Sequence, residues 1–126
     1  MEIIKTTGAP ISSVYSQAVK AGGLIFVSGQ AGIDPETGVI PGDSIQKQTE
    51  LCLENISTIL IAAGSSISKV VSATFILVDE SDFQGMNEVW IKWFPKDPPA
   101  RQGARHPVSG VTIPGLKISI SAIAEQ

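Results

Sequence analysis

The run Val70 to Val78, Val-Val-Ser-Ala-Thr-Phe-Ile-Leu-Val, constrains the fold more than any other stretch. β-Branched and aromatic residues dominate it, so it reads as a strand. Strand side chains alternate between faces, and here both sets are apolar: Val71, Ala73, Phe75 and Leu77 against Ile76 and Val78. Such a strand needs cover on both sides of its sheet, and the rest of the chain supplies only two amphipathic helices.

Asp43 stands three residues before Gln46, the spacing of a capping box, and Ile45, Thr49, Cys52, Ile56, Ile59 and Ala63 follow at intervals of three or four. Gly64 is the expected stop. Cys52 on that stripe reads as a small core residue rather than a nucleophile. Ser81 and Gln84 repeat the capping spacing ahead of a second stripe, Phe83, Met86, Trp90 and Phe94, which ends before Pro95. These aromatics recur at helical spacing without basic neighbours, which predicts core positions rather than a platform for stacked bases.

The remaining extended segments are a strand over Glu2 to Thr6, an antiparallel pair of Tyr15 to Val19 with Leu24 to Ser28, and a closing strand over Lys117 to Ala124. In the last, Ile118, Ile120, Ala122 and Ala124 point one way and Ser119, Ser121 and Ile123 the other. Turn residues punctuate the chain at Gly22-Gly23, Ile33 to Ile40, Ser109-Gly110 and Pro114-Gly115. The simplest solution is one α+β domain over residues 1–126: a single mainly antiparallel or mixed sheet with two helices on one face. Another copy of the chain is expected to cover the second face.

Composition narrows the function. The net charge of −3 has the wrong sign for neutralising phosphates, which argues against nucleic acid as a partner. One cysteine and one histidine leave no thiolate or His/Cys set for a metal, and Gly-x-Gly-x-x-Gly, Gly-Lys-Ser/Thr and Gly-x-Ser-x-Gly are absent. Neither a metal nor an organic cofactor is expected. The N-terminal residues lack a signal-peptide or transit pattern, and no apolar run reaches the roughly 18 to 20 residues that span a bilayer. The expected location is the cytoplasm, with a mitochondrial form left open.

What remains is a small-molecule site. In Pro98-Pro99-Ala100-Arg101-Gln102-Gly103-Ala104-Arg105-His106-Pro107, two prolines stiffen the approach to Arg101. From the residues alone Arg101 is either a solvated surface cation or a planar fork for a carboxylate, and His106 reads as a surface loop residue. Ser28-Gly29 at a strand end can expose amide donors, and Tyr15 can supply a wall with a polar tip.

Tyr15, Val27-Ser28-Gly29-Gln30, Asp34-Pro35-Glu36-Thr37-Gly38, Asp82-Phe83 with Asn87, Pro99-Ala100-Arg101, Pro114 and Ile120-Ser121-Ala122-Ile123-Ala124 follow one another in the order and spacing of a known group. Over nearly its whole length the chain resembles the reactive intermediate deaminase family, also called the RidA, YjgF or UK114 family. The resemblance implies a chorismate-mutase-like α+β fold, a homotrimer with ligand sites between subunits, and cofactor-free hydrolysis of 2-imino acids to 2-oxo acids and ammonia. It implies that Arg101 clamps the substrate carboxylate, that Ser28 and Gly29 line the cleft with Tyr15 and Asn87 near it, and that the Gly103 backbone faces the imine nitrogen or water.

The chain departs from that pattern in three places. Ser119 stands where the resemblance places a water-holding glutamate, and Gly103 where it often places a cysteine; the segment from Arg101 to Pro114 is also longer, bringing Arg105 and His106 to the cleft mouth. A serine positions water but is a poor base, so a second reading is a trimeric protein that binds small carboxylates without turnover. An endoribonuclease or translation inhibitor, as reported for some relatives, is a third reading that the acidic balance disfavours.

Overall fold

A computed structural model of the protein describes residues 1–106 and 113–126. Six strands form one sheet: β1 (Glu2–Ile4), β2 (Ala18–Ala21), β3 (Leu24–Ala31), β4 (Val70–Leu77), β5 (Ala100–Arg105) and β6 (Ile118–Glu125). Their spatial order is β1-β2-β3-β6-β4-β5, with β4 and β5 parallel and every other pair antiparallel. Helices α1 (Ile45–Ala62) and α2 (Phe83–Trp93) complete an α+β fold with a single mixed sheet.

The patterning of β4 and β6 becomes the core directly. Ala73, Phe75 and Leu77 of β4 and Ile118, Ile120, Ala122 and Ala124 of β6 are buried against the helices, together with Cys52, Ile56 and Ile59 of α1 and Met86 and Trp90 of α2. Burying each large aliphatic side chain contributes about 1.5–3 kcal/mol. The opposite face presents Ser119, Ser121 and Ile123 of β6 beside Thr74 and Ile76 of β4, and Ile76 is 40% exposed, as is Phe26 of β3. Among the described residues, the chain therefore covers one side of its sheet only.

Local signals placed the helix ends to within a residue or two. The cap of α1 is Ser44 rather than Asp43: its backbone is extended, and its Oγ accepts from the Lys47 amide at 3.1 Å. At the other end Gly64 has φ +82°, the Ser65 amide reaches the Leu60 carbonyl at 2.8 Å, and the Gly64 amide reaches Ile61 at 3.0 Å, a Schellman closure. Ahead of α2, Ser81 does not cap; its amide donates to Asp79 Oδ1 at 2.9 Å across a 3₁₀ turn, and the helix starts at Phe83. Two hydrogen bonds to Asp79, from the backbone and side chain of Ser81, hold that carboxyl below its usual range.

Three extended segments differ from expectation. The first strand stops at Ile4, and the first hairpin pairs Ala18–Ala21 with β3, three residues later than Tyr15 to Val19. Gly22 and Gly23, both at positive φ, make its two-residue turn, so the turn sets the register. Ala100–Arg105 is a strand that composition did not announce, and the amide of His106 extends its pairing to the Leu77 carbonyl at 2.7 Å. The Ser109-Gly110 turn lies outside the described residues, whereas Pro114-Gly115 is a turn with Gly115 at φ +79°.

Candidate functional site

Pairing with β4 fixes where Arg101 points. In the parallel register Arg101 stands beside Ala73 and Gly103 beside Phe75, so both lie on the helix side of the sheet. Gln102 lies on the other side, where its Nε2 donates to Thr74 Oγ1 at 3.4 Å. From the edge strand Arg101 reaches the face of α2 made by Phe83, Asn87 and Trp90, residues spaced four and three apart.

Arg101 stays exposed on this edge, but its guanidinium is flanked by that face. Its Nη1 donates to Asn87 Oδ1 at 2.7 Å, and its Cζ lies 5.0 Å from the Phe75 ring centroid, 5.0 Å from that of Trp90 and 5.6 Å from that of Phe83. Cations over aromatic faces at such distances are attracted by the ring quadrupoles. Partial desolvation lowers the pKa of Arg101, yet an arginine stays charged at any physiological pH. A groove of about 440 Å³ continues from this cluster, with Phe75, Phe83 and Gly103 as its floor and wall and Arg105 and Glu80 beside it.

A second cluster gathers on the opposite face. A bulge in β3 between Val27 and Gln30 breaks the ladder beside β6, and there the Gly29 backbone lies against Ser119: a Cβ on Gly29 would stand 3.1 Å from the Ser119 Oγ. The Ser28 hydroxyl donates to the Ser16 carbonyl at 2.6 Å, and its amide to the Gln17 carbonyl at 2.9 Å, which ties the loop carrying Tyr15 to the bulge. Tyr15 itself is 55% exposed beside a hollow lined by Ile3–Lys5 and Ile11–Gln17.

Within one chain, then, Arg101 meets Asn87 while Gly103 lies against Phe75, and Gly29 meets Ser119 while Ser28 ties the bulge to the Tyr15 loop. The two groups stand on opposite faces of the sheet.

Several contributors were not singled out as site residues in the sequence. Phe75, Phe83 and Trp90 were assigned to the core, and Phe75 and Trp90 are indeed buried, but all three also face Arg101. The available signal was Asn87, a polar residue in helical phase with Phe83 and Trp90. Gln17 shapes the Tyr15 loop: buried, it accepts from the Thr6 amide at 2.7 Å and donates to the carbonyls of Thr6, Ala9 and Pro10 at 2.8–3.1 Å. Cys52 takes no part; burial pushes its thiol far above the usual range, and its Sγ donates to the Ile118 carbonyl at 3.8 Å. His106 is exposed. Among the described residues no group of three or more His, Cys, Asp or Glu stands together as a metal site, and no helix is long and apolar enough to cross a membrane.

Comparison with known proteins bears on this arrangement. The family described as "Endoribonuclease L-PSP" matches residues 6–126. Reactive Intermediate Deaminase A, chloroplastic, of Arabidopsis thaliana is 41% identical over 124 residues, 98% of this chain and 65% of that one, so the chain spans just under two thirds of that relative's length. The 2-iminobutanoate/2-iminopropanoate deaminase of Mus musculus is 36% identical over 126 residues, 99% of this chain and 91% of that one. Among solved structures, E. coli TdcF with bound serine superposes with a TM-score of 0.88 at 35% identity, covering 100% of this chain and 99% of that chain.

Proposed function

The chain belongs to the Endoribonuclease L-PSP family, the group that includes the reactive intermediate deaminases, and from that premise we propose that it hydrolyses 2-imino acids to 2-oxo acids and ammonia without a cofactor. The observation that carries this reading is Arg101, an exposed guanidinium with one end on Asn87 and aromatic rings at its flanks, which suits a planar carboxylate arriving from solvent.

The chemistry asks little more. An imine carbon beside a carboxylate is already electrophilic, so water adds to it, the C–N bond breaks after proton transfer to nitrogen, and the 2-oxo acid and ammonia leave. Orientation and a positioned water supply most of what such a step needs. Arg101 orients the substrate, the Gly103 backbone faces the imine nitrogen or the water, and Ser28, Gly29 and Ser119 offer hydroxyls and a close backbone approach for the water.

Because those groups occupy opposite faces of one sheet, the complete site takes Arg101, Gly103 and Asn87 from one copy and Ser28, Gly29, Ser119 and Tyr15 from the next. A joint between unlike surfaces gives a ring where its rotation closes, and a homotrimer is the assembly proposed here. It also covers Phe26 and Ile76 on the open face. We further read residues 1–126 as one domain and its location as cytoplasmic; the plant relative is named chloroplastic.

Purified protein is expected to accelerate ammonia release from 2-iminopropanoate or 2-iminobutanoate formed in situ by an amino acid oxidase, and Arg101→Ala to remove the acceleration. Rates equal to the protein-free control overturn the proposal. Ser119, a weak base, favours a second reading as a non-catalytic carboxylate-binding protein, which saturable binding of 2-oxobutanoate without any imine hydrolysis would establish. The family's printed description names an endoribonuclease, but the net charge of −3 leaves little to attract a phosphate backbone.

A further inference from the structure

Gly103 is the one glycine among the described residues whose missing side chain is replaced by an aromatic ring. A Cβ built on it would fall among Cζ, Cε1 and Cε2 of Phe75. The ring can lie across the edge strand only because position 103 is bare. From that seat its centroid is 5.0 Å from Arg101 Cζ, and its neighbour Phe83, 5.8 Å away at 41°, lies 5.6 Å from the same carbon. Trp90 flanks the guanidinium at 5.0 Å and packs on Phe94 at 5.1 Å, while Arg101 remains open to solvent.

We propose that Gly103 and Phe75 are a coupled positioning pair for Arg101: the bare glycine seats the ring, and the ring, with Trp90 and Asn87, confines the guanidinium so that its remaining in-plane donors meet a carboxylate without reordering. This rests on the carboxylate-anchor reading given above. The physical reason is entropy. A long arginine surrenders much rotamer freedom when it clamps an anion, and one already confined by rings and an amide surrenders less. Any side chain at 103 evicts the ring, and with it one flank of the guanidinium.

The test measures two independent quantities in the wild type, Gly103→Ala, Phe75→Leu and the double variant: the proton shift of the Arg101 Nε–H by NMR, and binding of 2-oxobutanoate by calorimetry. In the wild type the rings displace the Nε–H resonance from its free-arginine position. Each single variant is expected to move it back and to weaken binding about tenfold, and the double variant to be no worse than the weaker single, as coupled residues are. Thermal melts establish that each variant is folded. The proposal is overturned if Gly103→Ala keeps the wild-type shift and affinity, or if the two losses add. Should Gly103→Ala not fold, Phe75→Leu decides in the same two measurements. If the wild type binds no 2-oxobutanoate, the carboxylate-anchor reading fails, while the Nε–H shift still decides whether Gly103 and Phe75 position the arginine.

Discussion

The two faces of the sheet carry two differently built clusters. On the helix side, Arg101 is an exposed charge flanked by three rings and an amide, and two of those rings, Phe75 and Trp90, belong to the buried core. On the open side, Ser28, Gly29 and Ser119 are small polar groups around a strand bulge, Ser119 held in the ladder of β6 and Ser28 bonded to the loop carrying Tyr15. A flanked cation suits an anion, whereas hydroxyls and exposed backbone beside a bulge suit water. In the function proposed above neither cluster is a site alone, and that reading makes activity depend on how copies are joined as much as on how one copy folds.

The comparison can be broken most severely at Arg101. Arg101→Ala is expected to lower kcat/KM for 2-iminobutanoate hydrolysis by about a hundredfold or more, since a misplaced substrate alone can cost that much; ammonia release in the coupled assay measures it, and full retention would remove the helix-side cluster from the site. Next is complementation between faces. Gly29→Val crowds Ser119 and Arg101→Ala removes the anchor, so each is expected to be inactive alone, but equal mixing with subunit exchange should restore about a quarter of wild-type activity if each joint draws one cluster from each copy. No recovery despite verified exchange would show that the site is not shared.

Smaller effects sharpen the division of labour. Ser119→Glu supplies a base on the open face and is expected to raise kcat about tenfold with KM nearly unchanged, as steady-state kinetics would show. Asn87→Ala frees one end of the guanidinium and should instead raise KM about threefold to tenfold with kcat nearly constant, the mark of a group that helps bind the anion equally before and during reaction. A kcat effect from Asn87 or a KM effect from Ser119 would reverse the roles given to the two faces.

Period and punctuation made much of the fold legible. The alternation in Val70–Leu77 and Ile118–Glu125, the three-four spacing in α1 and the stops at Gly64 and Pro95 are local signals, and local geometry obeyed them. Ala100–Arg105 was not legible as a strand because an exposed edge carries charge and glycine instead of β-branched residues. The Tyr15 loop was misread for a related reason: Gln17 spends its side chain on the loop backbone, and no periodicity announces that.

What the sequence by itself determined is the presence of an arginine behind two prolines, a strand apolar on both faces and too few helices to cover it, because these follow from residue chemistry and spacing alone. What only the tertiary structure decided is the setting of that arginine. Pairing of β5 with β4 in one register puts Gly103 beside Phe75 and turns Arg101 toward Asn87 and Trp90, and it leaves Ser119 on the far face. Contacts between residues 14 to 28 positions apart in the chain depend on register and packing, and no local propensity encodes them.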